Sequence, residues 1–417
     1  MTAHLEVGGR EHIATGVGRD IPFCPSCGVQ TPPPFYCVPQ VPVQSVLLMS
    51  TRQEALGIPR GQISLSLCQA CGFIYNQAFE PDALEYSPRY EETQAFSPAF
   101  KTFERALAGR LIERYGLRGK HIVEIGCGKG DFIALLCEMG HNYGTGLDPS
   151  YVAERRPSTA TDRVRYLPEF FSERHASLEA DFICCKMTLE HISQVSSFVQ
   201  MIRQTIGTRR RTLTFLQVPN VTRILREVAF WDIYYEHCSY FAASSLTRLL
   251  HQCHFEVVDL EEDYDGQYLL VVGRPSARRR LAAVGAGAAN DLVRDVARFA
   301  AAATKTVEEW RKYLSQLRTA GRRVALWGGG SKAVAFLTTL GLGPEVQYVV
   351  DVNPYRQDTF LPGTGHQIVS PGVLTQSRPD VVIVMNAVYR EEIRQQLHHL
   401  GLDPKLVIVG EAQFSDV

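Results

Sequence analysis

A chain of 417 residues is longer than one hydrophobic core normally serves, so two or three domains are expected. Its hydrophobic share of 45%, charged share of 21% and formal net charge of -1 are those of a globular protein and give no electrostatic case for a nucleic-acid partner. No apolar run reaches bilayer-spanning length and the opening MTAHLEVGGREHIATG lacks the apolar core of a secretion signal, so the expectation is a cytoplasmic protein, monomer or homodimer, that acts on a small molecule away from membranes.

Residues 1–20 show no hydrophobic periodicity and read as a flexible extension. Residues 21–80 form the next unit, with Cys24-Pro-Ser-Cys27-Gly and Cys68-Gln-Ala-Cys71-Gly at its ends and a β-prone run from Val41 to Met49 between them. Two such pairs can wrap four thiolates tetrahedrally around zinc, each pair turning on its following glycine. The gap of forty residues between Cys27 and Cys68 is longer than usual for such sites. A closed four-sulfur shell leaves no position for water, so this zinc would stabilise the module and do no chemistry. The other seven of the eleven cysteines, at 37, 127, 137, 184, 185, 238 and 253, share no spacing and read as small core residues.

From residue 81 to 277 the pattern is α/β. An amphipathic stretch from Pro98 leads into a strand at His121–Ile125, and further strands are expected at Asn142–Leu147, Asp181–Lys186 and Leu213–Val218. The run FEVVDLEEDYDGQYLLVVGRP alternates like a strand pair and closes the sheet antiparallel near Pro275. Residues 278–320, rich in Ala, Arg and Glu, read as a helical connector, and residues 321–417 as a second, Rossmann-like α/β domain.

The segment Val123-Glu124-Ile125-Gly126-Cys127-Gly128-Lys129-Gly130-Asp131 lies between the first strand and a helical run, on the strand-to-helix turn where nucleoside cofactors dock. Gly126 and Gly128 allow backbone to approach a ligand, and Gly130 lets the helix start close to the sheet. Asp148 ends the second strand and suits both hydroxyls of a ribose. A dinucleotide site would use similar parts, but the form ExGCGxG resembles motif I of class I methyltransferases, which bind S-adenosylmethionine. That resemblance implies that Glu124 organises the loop near the methionine moiety and that Asp148 holds the ribose.

Ligands of open α/β sheets sit beyond the carboxyl ends of the strands. After the strand DFICCK comes Met187-Thr-Leu-Glu190-His191; after FLQVP comes a long insertion ending Tyr234-Tyr235-Glu236-His237-Cys238-Ser239-Tyr240-Phe241. A carboxylate and an imidazole together in a partly dry pocket can tune each other's proton affinity.

From Cys24 onward the chain resembles nucleotide-sugar C-methyltransferases: a four-cysteine zinc module, a class I methyltransferase domain and a C-terminal α/β domain that helps hold the nucleotide sugar. The resemblance implies catalytic roles for the pair Glu236-His237, with the histidine as base, and for Tyr234 and His191. It also implies one for a tyrosine of the segment after the zinc module, best matched by Tyr90, with Tyr86 the alternative. Imidazole can take a proton from a carbon beside a ketone near neutral pH while neighbouring donors hold the enolate oxygen.

Two features bear on the acceptor. Where the sugar enzymes carry a Gly-Gly-Ser-type turn, this chain reads Asp265-Gly266-Gln267-Tyr268-Leu269, which points to a different substrate shape and keeps open carboxylate O-methylation, with His191 or His237 binding the acid. In the last domain, Trp327-Gly328-Gly329-Gly330-Ser331-Lys332 follows a strand, and such a turn can offer amides and a lysine to a pyrophosphate. Asp351 and Asn353 would either reach a nucleotide or cap the following segment. A non-catalytic zinc-containing scaffold and an NAD oxidoreductase are the readings from other classes.

Overall fold

The computed structural model describes residues 23–155, 162–277 and 286–411, with backbone only at 286–289. The expected extension at 1–20 lies outside the described residues. Among the described residues no helix is long and apolar enough to cross a membrane.

The N-terminal unit is an antiparallel sheet of β1 (Tyr36–Pro42), β2 (Arg60–Leu67) and β3 (Ile74–Asn76). The β-prone run expected over Val41–Met49 is corrected: the strand starts earlier and stops at Pro42, after a register break between Val38 and Val41 where Gln40 takes a φ of 57°. Proline has no amide to continue a ladder, so residues 43–49 leave the sheet as a loop.

The central domain opens with a helix, Pro98–Tyr115, capped by Ser97 and stopped by the left-handed Gly116. Its sheet contains β4 (His121–Ile125), β5 (Tyr143–Leu147), β6 (Val164–Leu167), β7 (Phe182–Lys186) and β8 (Leu213–Pro219). A two-residue strand, β9 (Ser239–Tyr240), comes next, then β10 (Phe255–Asp263) and β11 (Tyr268–Pro275). The seven-stranded order is β10-β11-β8-β7-β4-β5-β6, with β11 antiparallel to both its neighbours. This is class I methyltransferase order, and the antiparallel closure expected from the sequence is present. Winding reverses between β4 and β7, which opens a cleft beyond their carboxyl ends.

β9 does not join that sheet. It pairs with β3 and so supplies the fourth strand of the N-terminal unit from the segment that follows His237. The unit at 21–80 therefore completes its sheet with residues of the central domain.

The connector is one helix, Ala286–Thr319. Phe299, Trp310, Tyr313 and Leu314 are fully buried in a core shared with Ile63 and Leu65 of the N-terminal unit and with Leu326 and Phe336 of the last domain. It is a central packing element as well as a link. The C-terminal domain has five parallel strands, β12 (Val324–Trp327), β13 (Tyr348–Val350), β14 (Ile368–Val369), β15 (Val381–Val384) and β16 (Lys405–Ile408), ordered β14-β13-β12-β15-β16. Its reversal point lies at the end of β12, on the glycine turn. Both reversal points face one continuous cavity of about 510 Å³.

Candidate active site

At the first reversal point, Gly126, Gly128 and Gly130 have φ of 72°, 54° and 89°. A β-carbon at Gly126 would collide with Thr188 and one at Gly128 with Glu92, so the turn needs glycine for space as well as conformation. Asp148 accepts from the Gly128 amide at 2.9 Å and from the Ser150 amide at 2.7 Å, which ties the end of β5 to the turn. Lys129, almost fully buried, donates to the carbonyls of Tyr90 and Ser150, both at 2.6 Å, and so straps the linker segment across the turn. Glu124 is buried below. Desolvation pushes its carboxyl up to about 8, and Oε2 has no hydrogen-bond partner while the side chain lines the cavity. An orphaned carboxylate oxygen beside glycine amides, with Asp148 at the strand end, fits a ligand that brings an ammonium and a ribose.

Tyr86, His191, Tyr234 and His237, candidates from the sequence, line the same cavity together. Tyr234 Oη and His237 Nε2 are 2.8 Å apart, and the rings of His237 and His191 meet edge to face at 4.8 Å between centroids. Tyr86 Oη lies 3.1 Å from His191 Nδ1. Burial and the neighbouring His191 hold His237 well below the usual imidazole range, and its Nδ1 has no hydrogen-bond partner. If Nε2–H donates to the Tyr234 oxygen, Nδ1 keeps a free lone pair. Burial also lowers His191, to about 4. Both rings are neutral at physiological pH.

Glu236, expected beside the imidazole, faces away from it. Its carboxylate accepts from the Ser45 amide at 3.0 Å and from the Ser45 hydroxyl, and Tyr90 and Val46 also favour its charged form, although burial still raises it to about 7. The loop that leaves the sheet after Pro42 is what reaches it. The carboxylate near His237 is instead Glu190, whose Oε1 is 4.0 Å from Nε2. Tyr90 therefore serves Glu236, whereas Tyr86, the alternative, touches the histidine pair.

Two family models match the chain: one described as a methyltransferase domain over residues 100–260, and one described as a C-methyltransferase C-terminal domain over residues 279–408. The C-methyltransferase NovU of Streptomyces niveus is 26% identical over 367 residues, covering 83% of this chain and 85% of that protein. This chain is an S-adenosylmethionine-dependent methyltransferase. Among solved structures, similarity extends to the 1,6-didemethyltoxoflavin-N1-methyltransferase of Burkholderia thailandensis, 18% identical over 44% of this chain and 79% of that one, TM-score 0.33. The magnesium protoporphyrin IX methyltransferase of Synechocystis PCC 6803 is 14% identical over 43% and 84%, TM-score 0.32.

The methyltransferase's second glycine turn is built differently from the expectation that it offers free amides and a free lysine. The Gly329 amide donates to Asp351 at 2.8 Å, and Lys332 is held by Asp232 at 2.7 Å and by Gln267 Oε1 at 3.3 Å. Gln267 and Asn386 exchange two amide hydrogen bonds of 3.0 Å across the domain boundary. Asp351 also receives Arg356 at 3.2 Å, and Asn353 splits its amide between the Tyr355 N–H and Glu91. Arg356, the arginine beside this turn, is thus already paired.

The four cysteines of the methyltransferase's N-terminal unit meet as expected. Cys24 and Cys71 Sγ are 3.6 Å apart, Cys27 and Cys68 Sγ 3.5 Å, and all four lie within 4.8 Å of one another. A Zn–S bond of about 2.3 Å sets tetrahedral sulfur–sulfur edges near about 3.8 Å, so the residues fit that ion. The two turns are near copies: Gly28 donates to the Cys24 carbonyl at 2.8 Å with φ 75°, and Gly72 to the Cys68 carbonyl at 2.7 Å with φ 74°. Of the remaining cysteines Cys37 is exposed and the other six are buried. Residues to which the sequence assigned no role are Lys129, Glu190, and Glu169-Phe170-Phe171 after β6, all of which line the cavity.

Proposed function

We propose that this enzyme C-methylates a small-molecule acceptor at a carbon beside a ketone, with a nucleotide-linked keto-sugar as the acceptor class and His237 as the base. The reading rests on a neutral, buried imidazole with one unpartnered nitrogen, lining a cavity continuous with the cofactor turn. S-adenosylmethionine, when bound, supplies an electrophilic methyl group. Glu124 and Asp148 would hold its ammonium and ribose, with the glycine turn against its backbone-facing side.

His237 accepts the proton from the carbon, and Tyr234 keeps the ring in the tautomer that leaves Nδ1 open. His191, pinned by Tyr86, packs its ring edge against His237 and fixes its plane. Ser331 and Lys332 of the C-terminal domain line the same cavity, where a diphosphate would compete with Asp232 for the lysine. The test is incubation of the enzyme with S-adenosylhomocysteine and nucleoside-diphosphate 4-keto-6-deoxyhexoses in deuterated water. Deuterium enters the carbon next to the ketone in the parent and not in His237→Asn; failure of every such sugar to exchange or accept methyl overturns the reading.

A second reading, O-methylation of a small carboxylic acid, is favoured by Gln267, whose buried amide stands where the sugar enzymes carry small residues. It predicts a base-labile methyl ester as product and full activity in His237→Asn. For the N-terminal unit we propose one structural zinc in Cys24, Cys27, Cys68 and Cys71. Metal analysis of the purified protein should give about one ion per chain, and a Cys68→Ser protein that keeps its metal refutes the assignment.

A further inference from the structure

Glu190 sits in the 3-10 turn Leu189–His191 directly after β7, at the reversal point of the central sheet. It is fully buried, lines the reaction cavity, and neither carboxyl oxygen meets a hydrogen-bond partner from another residue. Glu236, one strand further along the sequence but equally buried, is wrapped by Ser45, Val46 and Tyr90. An ionised carboxyl in a dry site needs donors, and Glu190 has none from other side chains.

The titratable groups that face it come from four directions. They are Cys185 and Lys186 on β7, His191 on its own turn, Tyr234, His237 and Cys238 on the insertion, and Tyr86 and Tyr268 from the linker and β11. Of these only Lys186 is cationic at neutral pH, and Glu104 holds it at 2.9 Å. Desolvation accordingly outweighs Lys186 and pushes Glu190 up to about 8. The carboxyl is therefore an acid with an O–H to give and no acceptor in the protein. His237 Nδ1, on the neighbouring ring, is a lone pair with no donor. The two orphans are complementary: one takes a proton from a ligand and the other hydrogen-bonds to its oxygen.

We propose that Glu190 is a further catalytic residue, whose carboxylic acid O–H binds the carbonyl oxygen of the acceptor and holds the charge that develops there. The assignment rests on the His237 reading. As the C–H bond breaks, its proton goes to His237, its electron pair forms the C=C bond, and the carbonyl π pair moves onto the oxygen held by Glu190. As the new C–C bond to the methyl forms, the sulfur–methyl bond breaks with its pair returning to sulfur, the carbonyl is restored, and His237 later releases its proton to solvent. Charge stabilisation of this kind by one preorganised donor is typically worth about 10²–10³ in rate.

Two measurements test it. In the exchange assay with S-adenosylhomocysteine and the keto-hexose nucleotides, Glu190→Met, which keeps the side-chain length and removes the donor, should lower kcat by about 100-fold with KM within about threefold of the parent, because the donor matters to the enolate more than to the ketone. Thermal denaturation without ligand should show the variant gaining on the parent as pH rises from 6 to 9, because only the parent must ionise a buried acid. Parent-like exchange in Glu190→Met, or a pH-independent stability difference, overturns the Glu190 assignment alone. Absence of exchange in the parent overturns the His237 reading and Glu190's role with it.

Discussion

The two glycine turns of this enzyme are built on one plan and filled differently. Each follows the central strand of a parallel sheet, and each has an aspartate ending the next strand that accepts from a turn amide, Asp148 from Gly128 and Asp351 from Gly329. Around the first, the acids Glu92, Glu124 and Asp148 line an open cavity, and Lys129 holds two carbonyls and lies 3.6 Å from Glu92. Around the second, the protein supplies its own cation: Arg356 occupies the space beside Gly330, pairs with Asp351, and donates to the Glu91 carbonyl at 2.6 Å. Glu91 in turn is clamped by Arg155. The second turn is therefore also a rivet between the C-terminal domain and the linker, while Gly330, Ser331 and Lys332 still line the cavity.

The comparison breaks most visibly at the two aspartates. Asp148→Ala should weaken S-adenosylhomocysteine binding by about 100-fold or more by calorimetry, since hydrogen bonds to a charged group are worth about 1.5–3 kcal/mol each. Asp351→Ala should leave that affinity unchanged. It should instead destabilise the fold by about 3 kcal/mol, read by denaturant unfolding, because it strands a buried guanidinium. Equal losses of cofactor affinity in both variants would show that the turns do the same job.

A smaller effect separates the tyrosines of the linker. Tyr86→Phe releases the His191 ring and should lower kcat by about fivefold, in line with the roughly 1 kcal/mol of a single hydrogen bond. Tyr90→Phe, which touches Glu236, should cost stability with kcat nearly intact. The reverse result would restore Tyr90 to the reaction.

The smallest effect is in pH dependence. Glu92 and Glu124 are raised by burial to about 7 and about 8, above the ordinary glutamate value, so the stability they contribute is full below that ordinary value and is lost as pH rises through 7 to 8. The free enzyme should melt progressively lower from pH 6 to 8.5. Added S-adenosylhomocysteine, whose ammonium gives Glu124 a partner, should flatten that decline, and an unchanged slope would mean that the acids do not meet the ligand.

The parallel strands were legible because they are buried on both faces: HIVEI, FICCK and VVIV are near-continuous apolar runs between glycines and helical patterns. β6 was missed because it lies at the sheet edge and reads Val-Arg-Tyr-Leu, with no apolar run to find. The glycine turn, Asp148 and the cysteine pairs carry local signatures, and the structure brings each set together. The pair Glu236-His237 divides between two surroundings. Glu236 sits in a turn closed by the His237 amide on the Tyr234 carbonyl, and that turn aims its carboxylate at the Ser45 loop while the next side chain, His237, faces the cavity. The carboxylate that does face it, Glu190, is contributed by another strand's end, and only the three-dimensional path of the chain shows that.

The two-residue strand β9 carries a consequence for how the molecule is made. The edge of β3 that it covers is synthesised early, and Ser239 and Tyr240 leave the ribosome only after most of the central sheet has been translated. Until then the N-terminal unit waits with an unsatisfied edge, and its last ladder bonds close only when the segment bearing His237 arrives. The strand that completes the unit begins two residues after His237, so the nascent chain delivers the sheet's last strand and the imidazole at nearly the same moment.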